Sequence, residues 1–325
     1  MSFAPEHRPT QVEIDHAAEL MRAGKLVAFP TETVYGLGAH AMDDAAVGRI
    51  FEAKGRPNTS PVIVHVSSIE MAKSVVAEWP EQAQQLAEAF WPGPLTLVLT
   101  KRPEVPAVVT AGLDTVGVRM PSHPVAQALI KAAQVPIAAP SANRFTQLSP
   151  TTAEHVRQGL ATRVDYILDG GTCPVGIEST VLSLAGSAPV LLRPGGVSRA
   201  QIEAVIGPVS AQSESVGEAH PSPGMHARHY SPQTRLLLVC DGKVPTDGRG
   251  AYLQLSVPPE RGASKCIAMP TNAAEYASHL YRTLHELDGE NYDWIAVDFP
   301  VDTPEWEAVR DRLKRAASAT TDPSR

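Results

Sequence analysis

The chain has 325 residues, 43% hydrophobic and 19% charged, which is enough for two domains that each bury a core and excludes wholesale disorder. Acidic residues outnumber basic ones, 35 against 28, which argues against a general nucleic-acid coat or a basic membrane-surface protein. The apolar runs are too short to span a bilayer, and MSFAPEHRPT lacks the basic-then-apolar pattern of a signal peptide, so a cytoplasmic protein is expected.

In chain order, helix-like and strand-like segments alternate. Residues 13–23 carry apolar residues at helical spacing and stop at Gly24. KLVAFP is a strand ended by Pro30, and 43–54 is a helix that opens with acids and closes on Lys54, as the helix dipole favours. PVIVHV (61–66) reads as a buried strand, with Val62, Val64 and Val66 on one face and Ile63 and His65 on the other. Helices follow at 67–77 and 80–89, then strands at 94–100, 116–121, 136–140, 164–169, 180–184 and 189–193, with helices at 123–134 and 151–160. Many short strands with few helices between them predict a mixed, twisted α/β sheet rather than a regular βαβ repeat.

Residues 208–232 are small and polar with no apolar period, and they read as a linker between a first domain (1–207) and a second (233–325). The second is a small α/β unit of Rossmann-like character: strands at 234–240, 250–256, 264–270 and 294–300, and helices at 272–289 and 303–317. Cys173, Cys240 and Cys266 are scattered, which supports neither a disulfide framework nor a metal site.

The usual enzyme templates are missing. There is no GxxxxGK[ST], GxSxG or HExxH, and Gly36-Leu37-Gly38 lacks the third glycine of a dinucleotide loop. What remains is polar chemistry at strand ends, where α/β sites tend to form. Thr31-Glu32-Thr33 follows a strand, although an ordinary turn accounts for it equally well. Lys54 and Arg56 flank Gly55, which suits polyphosphate as well as a helix end. His65 lies near a strand end, where a purely structural histidine is common. Arg119 ends an apolar strand and needs a partner if buried, either Asp114 or a ligand carboxylate. Pro140-Ser141-Ala142-Asn143 leaves room for a flat ligand. Gly176-Ile-Glu-Ser-Thr180 enters a strand. Arg193-Pro194-Gly195-Gly196 precedes Ser198, a candidate N-cap, so the glycines either cradle a phosphate or simply turn the chain. Together, four cations (Lys54, Arg56, Arg119 and Arg193) at element ends form the footprint of an anionic small-molecule site.

FPTETVYGLG, KGRP, PVIVHV, WPGPLT, TVGVRMP, APSAN, GIESTV and LLRPGG, in this order, resemble the YrdC-like family, and SPGMHARHYSP with the trailing α/β unit resembles its long two-domain form, the threonylcarbamoyl-AMP synthases. The resemblance implies a twisted mixed sheet with a concave active-site face. It implies a nucleotidyltransferase that converts L-threonine, bicarbonate or CO2, and ATP into L-threonylcarbamoyl-adenylate and pyrophosphate, for modification of tRNA beside the anticodon. A threonylcarbamoyl-transferase complex and tRNA would lie downstream, and Mg2+ would accompany ATP with no protein metal site assigned. By motif, Thr31, His65, Arg119, Ala139 and Ser179 would line the threonine pocket. Lys54, Arg56, Asn58, Thr115, Ser141, Ser149, Arg193 and Tyr230 would surround ATP, with Lys54 and Arg56 catalytic and Tyr230 in a lid formed by the linker. The final helix, EAVRDRLKRAA, departs from the pattern: Asp311 stands where the resemblance leads one to expect Asn. The alternatives are an RNA-binding YrdC-like module and a carbamoyltransferase working through carbamoyl-adenylate, which the scattered cysteines disfavour.

Overall fold

A computed structural model describes residues 8–211, 229–260 and 262–317. Most of the linker, including Pro221 and Pro223, lies outside these residues.

The first unit carries strands β1 (Val27–Pro30), β2 (Tyr35–His40), β3 (Val64–His65), β4 (Leu95–Thr100), β5 (Thr115–Arg119), β6 (Ile137–Ala138), β7 (Tyr166–Ile167), β8 (Thr180–Ser183), β9 (Val190–Arg193) and β10 (Ser210–Ala211). Its helices are α1 (Gln11–Arg22), α2 (Asp44–Lys54), α3 (Ile69–Lys73), α4 (Glu81–Phe90), α5 (Ala107–Thr110), α6 (Pro124–Ala133), α7 (Ala153–Leu160) and α8 (Arg199–Ile206). The strands form one mixed sheet in the order β10-β9-β8-β4-β5-β3-β6-β2-β1-β7. The second unit holds β11 (Arg235–Val239), β12 (Gly250–Gln254), β13 (Lys265–Ala268) and β14 (Trp294–Asp298), with α9 (Ala273–Asp288) and α10 (Glu307–Ala317). Its sheet is parallel, in the order β11-β14-β12-β13, so the last strand is inserted between the first two. No helix among the described residues is long and apolar enough to cross a membrane.

Local chemistry sets the element ends. Thr10 and Glu13 make a capping box at the start of α1, and Ser198 with Gln201 makes another on α8. Helix α2 ends at Gly55 in the left-handed conformation. Strand β3 is shorter than PVIVHV predicts. Pro61 has no N–H, Val62 donates to Val109 O, and Ile63 O accepts from Ala139, so only Val64 and His65 join the ladder. Two strands are unpredicted: β10, which falls at the start of the segment read as a linker, and β2, whose two glycines disguise it. A Cβ on Gly38 would lie 2.8 Å from the Phe29 ring and 2.9 Å from Ile137, so glycine there is a packing requirement and not part of a phosphate loop.

Period-2 alternation then sorts the main sheet into two faces. Val64, Val118, Leu95, Leu97 and Leu99 enter the core beneath α2 and α4. His65, Arg119 and Thr96 therefore point to the other face. Helices α1 and α6 cover part of that face with a second core around Val27, Phe29 and Ile137. The remainder is left as the floor of a cleft. A register shift between Val181 and Leu182 puts Arg193 opposite Val181 and Leu191 opposite Leu182. This bulge re-aims Arg193 towards that floor, although Leu191 faces the core.

The second unit does not pack alone. Its core includes Val34, Leu148 and Ile177 of the first unit, together with Tyr230. Gly176 explains how closely the two meet. Its φ is +76°, and a Cβ there would fall 2.6 Å from the backbone of Ala277 and Ser278 in α9.

Candidate active site

The cleft encloses about 620 Å3, its mouth included, and is lined by residues from eight of the sequence motifs. Thr31, His65, Arg119, Ala139 and Ser179 line it, as do Lys54, Arg56, Ser141, Arg193 and Tyr230. Asn58, Thr115 and Ser149 do not. Asn58 is exposed on the turn after α2. Thr115 starts β5, paired with Thr100 at the strand end opposite Arg119. Ser149 is fully buried behind the cleft, where its hydroxyl donates to Glu178 Oε1 at 2.5 Å. Glu178, Thr33 and Asn143, to which the motifs assign no separate role, also line the cleft. All three sit inside motifs already noted, so motif membership is the available signal.

At one end, Arg119 is 3% exposed and paired with Glu32, neither with Asp114 nor with open solvent. Its Nε donates to Gly93 O at 3.2 Å and its Nη1 to Thr33 Oγ1 at 2.9 Å. Nη2 approaches Glu32 Oε1 at 2.8 Å, but the N–H does not point along that contact. Thr31 is used in the turn: its Oγ1 donates to Val34 O at 2.7 Å and receives the N–H groups of Thr33 and Val34. His65 stands edge-on to Phe29, and burial, together with Arg119, lowers its pKa to about 3. The imidazole is thus neutral at neutral pH.

At the other end, the Lys54 ammonium donates to Ser141 O and to Asn143 O. Burial is the main influence lowering its pKa well below the usual lysine value; Arg56 adds to it, and Glu178 partly opposes it. Arg56 donates through Nη2 to Pro61 O at 3.0 Å, while its buried Nε has no partner among the described residues. Arg193 donates to Ser179 O at 3.1 Å and to Ser179 Oγ at 3.2 Å, and its Nη1 reaches Tyr230 Oη at 3.5 Å. Ser179 Oγ also shares a hydrogen bond of 2.8 Å with Thr96.

The glycines after Arg193 are structural. A Cβ on Gly195 would fall 2.3 Å from Thr180 N, and one on Gly196 would meet the Pro94 ring at 3.0 Å, so the close packing of strand ends requires glycine at both positions. Among the described residues no three His, Cys, Asp or Glu side chains cluster as metal ligands. The two buried carboxylates, Glu32 and Glu178, are each held by an arginine.

Four buried cations lining one cleft, with hydroxyls between them, can bind and orient anions. Comparisons with known proteins agree with that arrangement. Residues 19–195 match the family model described as "Telomere recombination", and residues 197–318 match the "Threonylcarbamoyl-AMP synthase, C-terminal domain" model. The chain is 42% identical to the threonylcarbamoyl-AMP synthase of Pyrococcus abyssi, over 93% of each chain. It is 43% identical to that of Bacillus subtilis, over 94% of this chain and 93% of the other. The crystal structure of P. abyssi Sua5 complexed with L-threonine superposes with a TM-score of 0.89 at 40% identity, covering 96% of each chain. The chain belongs to the threonylcarbamoyl-AMP synthase family, in its long two-domain form.

Proposed function

We propose that this chain joins L-threonine, CO2 or bicarbonate, and ATP into L-threonylcarbamoyl-adenylate, releasing pyrophosphate. The observation that carries the reading is the gathering of Lys54, Arg56, Arg119 and Arg193, all buried, on one cleft. Buried charges of one sign are costly without counter-charge, and a carboxylate at one end with a triphosphate at the other supplies it.

Arg119 would receive the threonine carboxylate, because its fork suits bidentate binding and Nη2 is not aligned on Glu32. Neutral His65, with Thr31, Ala139 and Ser179, would form the walls of the amino-acid pocket and avoid repelling its amine. Lys54, Arg56, Ser141, Arg193 and Tyr230 would hold ATP. Asn58 and Thr115 stand outside the lining, and Ser149 acts only through Glu178, so the ATP assignment rests on the other five.

The threonine carbamate is itself the nucleophile: its oxygen attacks the α-phosphorus while pyrophosphate leaves. The protein therefore has to align two anions and neutralise charge as it develops. Lys54 and Arg56 are the catalytic cations in this reading. Mg2+ would belong to the nucleotide substrate and be held by phosphate oxygens, since Glu32 and Glu178 are already engaged. A threonylcarbamoyl-transferase complex acting on tRNA would consume the product.

Mass spectrometry of a reaction with ATP, L-threonine and bicarbonate tests the proposal. The adenylate should form only when all three are present, and pyrophosphate release that ignores threonine would overturn it.

A further inference from the structure

The second unit reaches the cleft wall through side chains of both its helices. Arg312 on α10 is fully buried. Its Nε donates to Glu178 Oε2 at 2.7 Å, and its Nη2 donates to Pro194 O at 3.0 Å. Tyr281 of α9 donates to the same Glu178 oxygen at 3.1 Å. Both bonds cross between the units and end on a carboxylate in the cleft wall.

Arg312 also carries Tyr230. Its guanidinium lies 5.2 Å from the centre of the Tyr230 ring, in a cation–π arrangement. Tyr230 needs support because its φ is +60°, a conformation that costs a non-glycine residue energy unless the surroundings enforce it. The Tyr281 ring stands 5.9 Å from the Tyr230 ring. Asp311 backs the arginine: its carboxylate meets Arg312 Nη1 at 2.7 Å and Arg315 Nη2 at 2.9 Å.

We infer that Arg312, with Tyr281, makes the second unit part of the active site by positioning Glu178 and Tyr230 at the nucleotide end of the cleft. Neither residue lines the cleft, so both act through others. The inference rests on the reading that ATP occupies the end of the cleft formed by Lys54, Arg193 and Tyr230. Arg119 and His65, at the threonine end, have no contact with Arg312.

The test separates positioning from mere stability. In full-length protein, Arg312→Lys and Tyr281→Phe are compared with wild type by steady-state pyrophosphate release, varying ATP and threonine in turn. Positioning predicts a rise of about tenfold in the KM for ATP in Arg312→Lys and a smaller rise in Tyr281→Phe, with the KM for threonine within about twofold of wild type. A role confined to folding lowers kcat by the inactive fraction and leaves both KM values unchanged, and that result overturns the inference. If Arg312→Lys does not fold, Tyr281→Phe, which deletes only a hydroxyl, decides by the same criterion. Equilibrium ATP binding without threonine gives a second readout. Weaker binding in the variants supports the inference, and unchanged binding overturns it. Wild-type protein that makes no threonine-dependent product sinks the reaction reading instead, and ATP binding still tests the positioning.

Discussion

Arg119 and Glu32 form an ion pair of 2.8 Å in which both side chains are almost wholly buried. Such a pair costs desolvation at both ends and is weak evidence for stability. Its place at the cleft gives it another use: it holds the guanidinium where a ligand carboxylate can meet it. Arg119→Lys retains the charge and loses the fork. The KM for threonine should rise by roughly tenfold or more, with the KM for ATP little changed. Steady-state kinetics with each substrate varied checks this, and an equal rise in both KM values would refute the assignment.

Lys54 presents the same trade in sharper form. Burial disfavours its charge, yet its ammonium is bonded to two carbonyls at the phosphate end. Lys54→Met should cut pyrophosphate release by about 100-fold or more. Because a buried charge disappears, its melting temperature should stay close to that of wild type. Activity and thermal melts on the same sample check both parts.

Most of this architecture was legible in the sequence, for physical reasons. The 2-residue alternation in PVIVHV already placed His65 opposite the valines, and the core confirms it. Proline and glycine punctuation located the strand ends that carry the cleft. Strand β2 was hidden because its glycines answer to tertiary packing against Phe29 and Ile137, which no local pattern records. The partner of Arg119 was misjudged for a related reason. Asp114 is near in sequence, but it precedes β5, and the strand carries Arg119 away from it towards the Thr31–Thr33 turn. Glu178 drew no separate role because its importance depends on Arg312, 134 positions further along the chain.

Acid should loosen the boundary between the units. The rings of His155 on α7 and His285 on α9 stack 3.9 Å apart across it. Burial, with the neighbouring His285 and Arg282, lowers the His155 pKa to about 3, and burial also lowers that of His285. A histidine whose folded pKa lies below its unfolded value costs stability as pH falls, because the unfolded chain takes up the proton first. The penalty begins near pH 6.5, the unperturbed value, and grows until the folded pKa is reached. Melting temperature should therefore drop between pH 7 and pH 5, and His155→Phe should shrink that drop. An identical pH dependence in the variant would contradict the argument.

Gly176→Ala should do mechanical damage. It places a methyl group within 2.6 Å of the α9 backbone and forces an unfavourable φ. The cost should be at least ~2 kcal/mol. Calorimetry should show a lower melting temperature and a broadened or split transition as the units lose their common core.

That common core has a consequence for how the polypeptide is partitioned. Val34, Leu148 and Ile177 are covered by side chains from the far end of the sequence, and Glu178 finds its counter-charge there. Two polypeptides divided between residues 211 and 229 would therefore each expose apolar surface that the other now covers. They would reassemble by the same burial that now joins them within one chain.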